Sequence, residues 1–140
     1  MKYVIGIDLG TSATKTVLFD INGGIVASAS REYDLIQPHN GWAEQNPQDW
    51  YDAAIETLKK VVSESGVDAC DIVSLGISGQ MHGLVMLDEE CNVLRPSILW
   101  CDQRTGKECD ELTEKLGRKT LIKITANPAL TGFTASKILW

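Results

Sequence analysis

Two short stretches of this chain carry residue types suited to holding phosphate and a polyhydroxylated ligand. The first is Asp8-Leu9-Gly10-Thr11-Ser12-Ala13-Thr14-Lys15, a carboxylate at the end of an apolar run followed by a turn of glycine and hydroxyls. Such a turn can aim backbone amides and short donors at phosphate oxygens, while the carboxylate can hold a hydrated Mg²⁺, a hard ion that keeps most of its waters. An ordinary hairpin with a glycine turn fits the same residues, because short glycine motifs match by chance often. The second stretch is Ile77-Ser78-Gly79-Gln80-Met81-His82-Gly83-Leu84-Val85. Its histidine can hydrogen-bond a polyol hydroxyl while the neighbouring thioether packs on carbon. A core histidine satisfied by a backbone carbonyl is the competing reading.

The elements that must position these groups follow from local patterning. Tyr3 to Asp8 and Lys15 to Asp20 are rich in β-branched and apolar residues and flank the turn, so they read as paired strands. Asn22-Gly23-Gly24 is a turn signal, and Ile25 to Ser30 supplies a third strand, which makes the chain open as an antiparallel meander. Residues 34–46 read as a loop closing on Asn46-Pro47, a cap residue followed by a proline at the first helical position. Trp50, Ala54, Leu58 and Val61 or Val62 then share one face of a helix that Gly66 is placed to end, and that helix is expected to cover one face of the sheet. Ile72 to Ser78 reads as a second buried strand, Leu84 to Leu87 as another after the glycine-flanked break, and Asp88-Glu89-Glu90 as an acidic turn. A short strand ends at Ile98-Leu99-Trp100, Lys107 to Leu116 is a helix stopped by Gly117, and Thr134 to Trp140 begins another, with no C-terminal glycine and no evident partner for its apolar side. Trp42 and Trp50 are assigned to packing, and the Glu111–Lys115 spacing to a solvated helix face.

With 140 residues the chain is long enough for one domain with a hydrophobic core, and no linker or repeat divides it. A net charge of −6 argues against nucleic acid or an anionic membrane as partner. No run approaches the length of a membrane span, and the opening apolar run is too short for a signal-peptide core, so the expected location is cytoplasmic. Cys70, Cys91, Cys101 and Cys109 show no CxxC spacing and have no histidine at zinc-finger distance, so they are expected as reduced thiols.

Ile5 to Lys15 followed by a second strand resembles the first phosphate motif of the actin, Hsp70 and sugar-kinase superfamily. That resemblance implies an α/β, ribonuclease H-like N-terminal domain whose mixed sheet opens with the antiparallel meander and is packed by helices. It implies that Asp8 is the catalytic carboxylate acting through Mg²⁺ near the transferred phosphoryl group, and that Gly10, Thr11, Ser12 and Lys15 face the phosphates of ATP. Ala13 stands where some relatives carry another hydroxyl. Gln80-Met81-His82-Gly83 is similar to the sugar-contacting segment of the xylulose-phosphorylating members of the FGGY carbohydrate kinase family, which implies that Met81 and His82 touch the ketose. Glycerol-phosphorylating members typically carry Arg-Glu there.

Gly41 to Trp50, Arg95 to Arg104 and Thr131 to Trp140 extend the resemblance along the whole chain in family order. Trp100, Asp102 and Arg104 resemble the family's Trp-x-Asp-x-Arg segment lining the sugar cleft, with Cys101 where asparagine is frequent; a core tryptophan beside a surface ion pair is the alternative. The implied reaction is phosphorylation of D-xylulose to D-xylulose 5-phosphate by ATP. The resemblance also puts the general base, an aspartate, and the adenine-binding second domain beyond Trp140. Residues 1–140 are therefore expected to be an incomplete N-terminal domain that does not turn over alone, with a homodimer of the full-length parent as one permitted state. The alternatives are a kinase of ribulose, gluconate or another polyol, and a non-catalytic actin-like module that binds nucleotide or a partner.

Overall fold

The computed structural model describes all 140 residues, Met1–Trp140. Its contacts gather into two units, each assembled from two stretches of chain: Met1–Asp34 with Gln48–Gln80, and Leu35–Pro47 with Met81–Trp140.

The first unit is built on a four-stranded mixed sheet in the order β3-β2-β1-β5. β1 (Tyr3–Leu9), β2 (Ala13–Asp20) and β3 (Ile25–Glu32) form the expected antiparallel meander. Alternation sets the faces: Ile5 and Ile7 on β1, and Thr14, Thr16 and Leu18 on β2, all point inward and are buried. The helix α1 (Pro47–Ser65) follows, and its buried row is Ala53, Thr57 and Val61, with Ala54, Leu58 and Val62 partly buried beside it. The apolar side of this row packs on Ile5, Ile7, Leu18 and Ala29 as one core. Within it the Thr57 and Thr16 hydroxyls meet at 2.7 Å, so a polar pair pins the helix to the second strand. The chain then returns as β5 (Ile72–Gly79), parallel to β1.

The sequence pattern predicts β5 as a buried strand, and the structure places it in the open. Val73, Leu75 and Ile77 are all exposed, because β5 is the sheet edge and no element of this unit lies over it. A run of β-branched residues reports strand propensity, and burial depends on neighbours that periodicity does not reveal.

The second unit is held by a two-stranded pairing of β4 (Glu44–Gln45) with β6 (Ser97–Ile98), both buried. β4 lies at the end of the segment read as a loop. The strand expected at Leu84–Leu87 is absent: Leu84 and Leu87 make single bridges to Ile98 and Val93. The Asp88 carboxylate gathers the amides of Glu90 and Asn92 and the side chain of Asn92, which curls the chain and stops a ladder from forming. Three helices follow, α2 (Gly106–Leu116), α3 (Arg118–Thr125) and α4 (Thr134–Leu139). Gly117, at φ 78°, ends α2 as expected and also opens α3. α3 was not legible, since Thr120, Ile122, Ile124 and Thr125 are β-branched and weak helix formers.

Candidate functional site

In the first unit, Asp8 is exposed near the end of β1 and in register with Lys15 on β2 and Ser78 on β5. All three line one groove of about 410 Å³ with Gly6, Gly76, Val17 and Phe19. Gly6 and Gly76 are paired in register, and at Gly76 a Cβ would stand in open space, so the groove floor beside Asp8 is kept low by missing side chains. The carboxylate is a hard oxygen ligand that suits a hydrated Mg²⁺, and the ammonium and hydroxyl are donors that suit phosphate oxygens, so these residues fit both groups.

The turn after β1 is braced from three sides. Gly10 donates to the Ala13 carbonyl at 3.0 Å, and a Cβ on residue 10 would meet that same oxygen at 3.0 Å, so the turn closes tightly around glycine. The Thr11 hydroxyl meets Gln80 Oε1 at 3.3 Å, and the Gln80 amide donates to the Leu9 carbonyl. Tyr33 straps the far side: its hydroxyl donates to the Gly10 carbonyl and its amide to the Ser12 carbonyl. Burial raises the Tyr33 phenol above its ordinary pKa and the Asp8 charge adds to this, while the Thr14 hydroxyl opposes both. Ser12 and Lys15 remain exposed. Tyr33 and Gln80 were not picked out as site residues, because their role comes from partners 23 and 69 residues away.

In the second unit, Met81, His82 and Trp100 are exposed, Met81 at 70% and Trp100 at 48%. His82 has φ 62°, a left-handed conformation that costs a side-chain-bearing residue about 1–2 kcal/mol. Its ring stands edge-on to Phe133 at 4.7 Å, and its carbonyl accepts from Lys137 Nζ at 2.8 Å and Thr134 Oγ1 at 3.3 Å. The buried core histidine of the competing reading is therefore not what forms.

Asp102 and Arg104 depart from both readings made for them. The tryptophan of their segment is exposed, whereas their side chains are 0% and 1% exposed. Asp102 accepts from the Ala43 amide at 2.7 Å, the Arg104 amide at 2.9 Å and the Arg104 guanidinium at 2.7–3.0 Å. Arg104 Nη1 reaches Glu44 at 2.6 Å, and Arg95 shares the same Glu44 oxygen at 2.9 Å. The Arg104 guanidinium lies over Trp42 at 3.7 Å and near the Trp140 ring at 4.9 Å, while Arg95 covers Trp140 at 4.7 Å. Burial pushes the Asp102 carboxyl up, but Arg104 and the Ala43 amide outweigh it and hold the group below the usual carboxylate range. The Arg104 guanidinium is raised, its pairing with both carboxylates outweighing burial. A ligand has no open face of either group to contact. Trp140 thus has partners in this network, while Ile138 and Leu139 beside it are exposed.

Lys137 is a further residue that sequence reasoning missed. It is 2% exposed, and burial draws its ammonium below the ordinary lysine value against the opposing charge of Asp102. The available signal was a lone lysine between Ser136 and the apolar run Ile138-Leu139-Trp140.

A mixed sheet with a phosphate-type turn, and a separate unit presenting an exposed histidine and tryptophan, define a class. The chain belongs to the FGGY family of carbohydrate kinases: residues 3–140 match the family's N-terminal domain. Among curated proteins it is 54% identical to a xylulose kinase of Bacillus subtilis over 140 residues, all of this chain and 28% of that protein. Among solved structures it resembles a ligand-bound xylulose kinase from Lactobacillus acidophilus (TM-score 0.90, 35% identity, 100% of this chain and 28% of that one). It resembles a gluconate kinase from the same organism almost equally (TM-score 0.89, 35% identity, 99% of this chain and 28% of that one). The chain therefore spans little more than a quarter of the length of these relatives. No helix is long and apolar enough to cross a membrane.

Proposed function

We propose that this chain is the N-terminal portion of an ATP-dependent kinase of D-xylulose, contributing the phosphate turn and the sugar contacts but not the general base. The observation that carries the substrate is the exposed Met81-His82 pair with Trp100, in a chain 54% identical to a xylulose kinase throughout. Phosphoryl transfer asks a protein mainly to align nucleophile and γ-phosphate and to neutralise charge. Asp8 would hold Mg²⁺, which when bound offsets the negative charge of the phosphates. Gly10, Thr11, Ser12 and Lys15 bind and orient those phosphates, on a turn whose shape Tyr33 and Gln80 maintain. Met81 supplies apolar contact to the sugar carbons, His82 hydrogen-bonds a hydroxyl, and Trp100 offers a flat wall. Asp102 and Arg104 act as positioning residues, holding the backbone that carries Trp100. The general base and adenine site belong to chain beyond these residues, as the relatives' greater length supports.

Gluconate is the second reading, favoured by the equal identity to the two Lactobacillus acidophilus kinases. ADP release by the full-length kinase on D-xylulose, ribulose, gluconate and glycerol decides between them. Xylulose is expected to give the highest kcat/KM, and His82→Ala to lower it by about ten-fold or more. Unchanged xylulose kinetics in that variant would remove the role given to His82. Residues 1–140 alone are expected to show no xylulose-dependent ADP release; an ordinary enzymatic rate, about 1 s⁻¹ or above, would overturn the missing-base reading.

A further inference from the structure

Lys137 is buried, and a buried ammonium is unfavourable unless its protons are taken up by acceptors. Here the ammonium donates to two backbone carbonyls, His82 at 2.8 Å and Gly132 at 2.8 Å. One belongs to a proposed sugar contact and the other packs against a second. His82 is itself one, and its left-handed backbone has to be held in place by its surroundings. Gly132 packs against the other: a Cβ on residue 132 would meet the Trp100 carbonyl oxygen at 2.9 Å, so these two backbones touch. Thr134, one turn before Lys137 on α4, adds a second donor to the His82 carbonyl at 3.3 Å. One ammonium on α4 therefore ties down the backbone of His82 directly and that of Trp100 through Gly132.

We propose that Lys137 is the positioning residue of the sugar subsite, fixing the angle at which His82 and Trp100 meet the sugar while taking no part in nucleotide binding. An apolar side chain of similar length would fill the same space, leave the Gly132 carbonyl without this donor and leave the His82 carbonyl with Thr134 alone. The strained His82 backbone would then relax and carry the imidazole away from its working direction. The inference rests on the reading that Met81, His82 and Trp100 contact the sugar.

The test uses Lys137→Met in the full-length kinase, with KM for D-xylulose and for ATP measured separately. Its companion readout is the carbonyl ¹³C resonance of His82, selected through its peptide bond to Gly83 by labelling histidine carbonyls with ¹³C and glycine nitrogens with ¹⁵N. The expected result is a sugar KM raised about ten- to a hundred-fold, as for loss of a charged hydrogen bond, an ATP KM within about two-fold, and an upfield shift of the His82 carbonyl. An unchanged sugar KM, an equal rise in both KM values, or an unmoved carbonyl resonance overturns the proposal. Should Lys137→Met fail to fold, Thr134→Val removes the second donor, and a smaller rise confined to the sugar KM is expected; no rise counts against it. His82→Ala, run alongside, separates the two claims. If it impairs xylulose use while Lys137→Met does not, the positioning role alone falls; if it has no effect, the sugar-site reading falls and the positioning role with it.

Discussion

At the scale of single residues, the buried cluster of Glu44, Asp102 and Arg104 is where one substitution matters most. Removing one member of a buried pair leaves the other charge without compensation, which typically costs about 3–5 kcal/mol. Asp102→Ala strands Arg104 with Glu44 alone, and urea denaturation is expected to show a loss of that order; a loss under about 1 kcal/mol would mean that water reaches the guanidinium. The same carboxylate sets an acid limit. Its folded pKa is depressed, so as pH falls the unfolded chain takes up the proton first. The stability it contributes is complete above the unfolded value of about 3.9 and drains away as pH drops through the lower folded value. Melting temperatures followed downward from about pH 6 should fall through this window in the parent and more weakly in Asp102→Ala.

At the scale of elements, the turn between β1 and β2 depends on a residue outside it. Tyr33→Phe keeps the ring and removes the hydroxyl that bonds the Gly10 carbonyl. In the full-length kinase the KM for ATP is expected to rise about two- to ten-fold, as for one hydrogen bond, with the KM for xylulose unmoved. A shift in the sugar KM instead would separate Tyr33 from the phosphate turn. The three opening strands, α1 and α2 were readable in advance because each is specified locally, by alternation, by the Asn46-Pro47 start and by Gly66 and Gly117. Their packing followed in part: Leu18 lies at the centre of the first core, and Leu18→Ala should cost about 2–5 kcal/mol. What escaped was decided at a distance. The β-branched α3 contradicts its own propensities, and the exposure of β5 depends on absent neighbours. The site divides the same way: Asp8 to Lys15 and Met81-His82 are contiguous motifs, whereas Lys137 and Glu44 meet partners 55 and 60 residues away.

At the scale of the whole molecule, the exposed β5 edge carries Val73, Leu75 and Ile77 beside unpaired backbone groups, a combination that favours self-association. Sedimentation of the 140-residue chain is expected to show concentration-dependent association that Ile77→Lys reduces; an identical profile in that variant would place the contact elsewhere. The two units differ in another respect, through the order in which the chain visits them. The first is complete once Gln80 has been made, but the second begins at Leu35 and acquires Arg104 sixty residues after Glu44. At ribosomal speeds of about 5–20 residues per second, Glu44 waits about 3–12 s for Arg104, the more deeply buried of its two cations. During synthesis the phosphate-turn unit can therefore mature first, while the segment bearing Trp42 and Glu44 hangs from it as an unfolded loop until its partner is made.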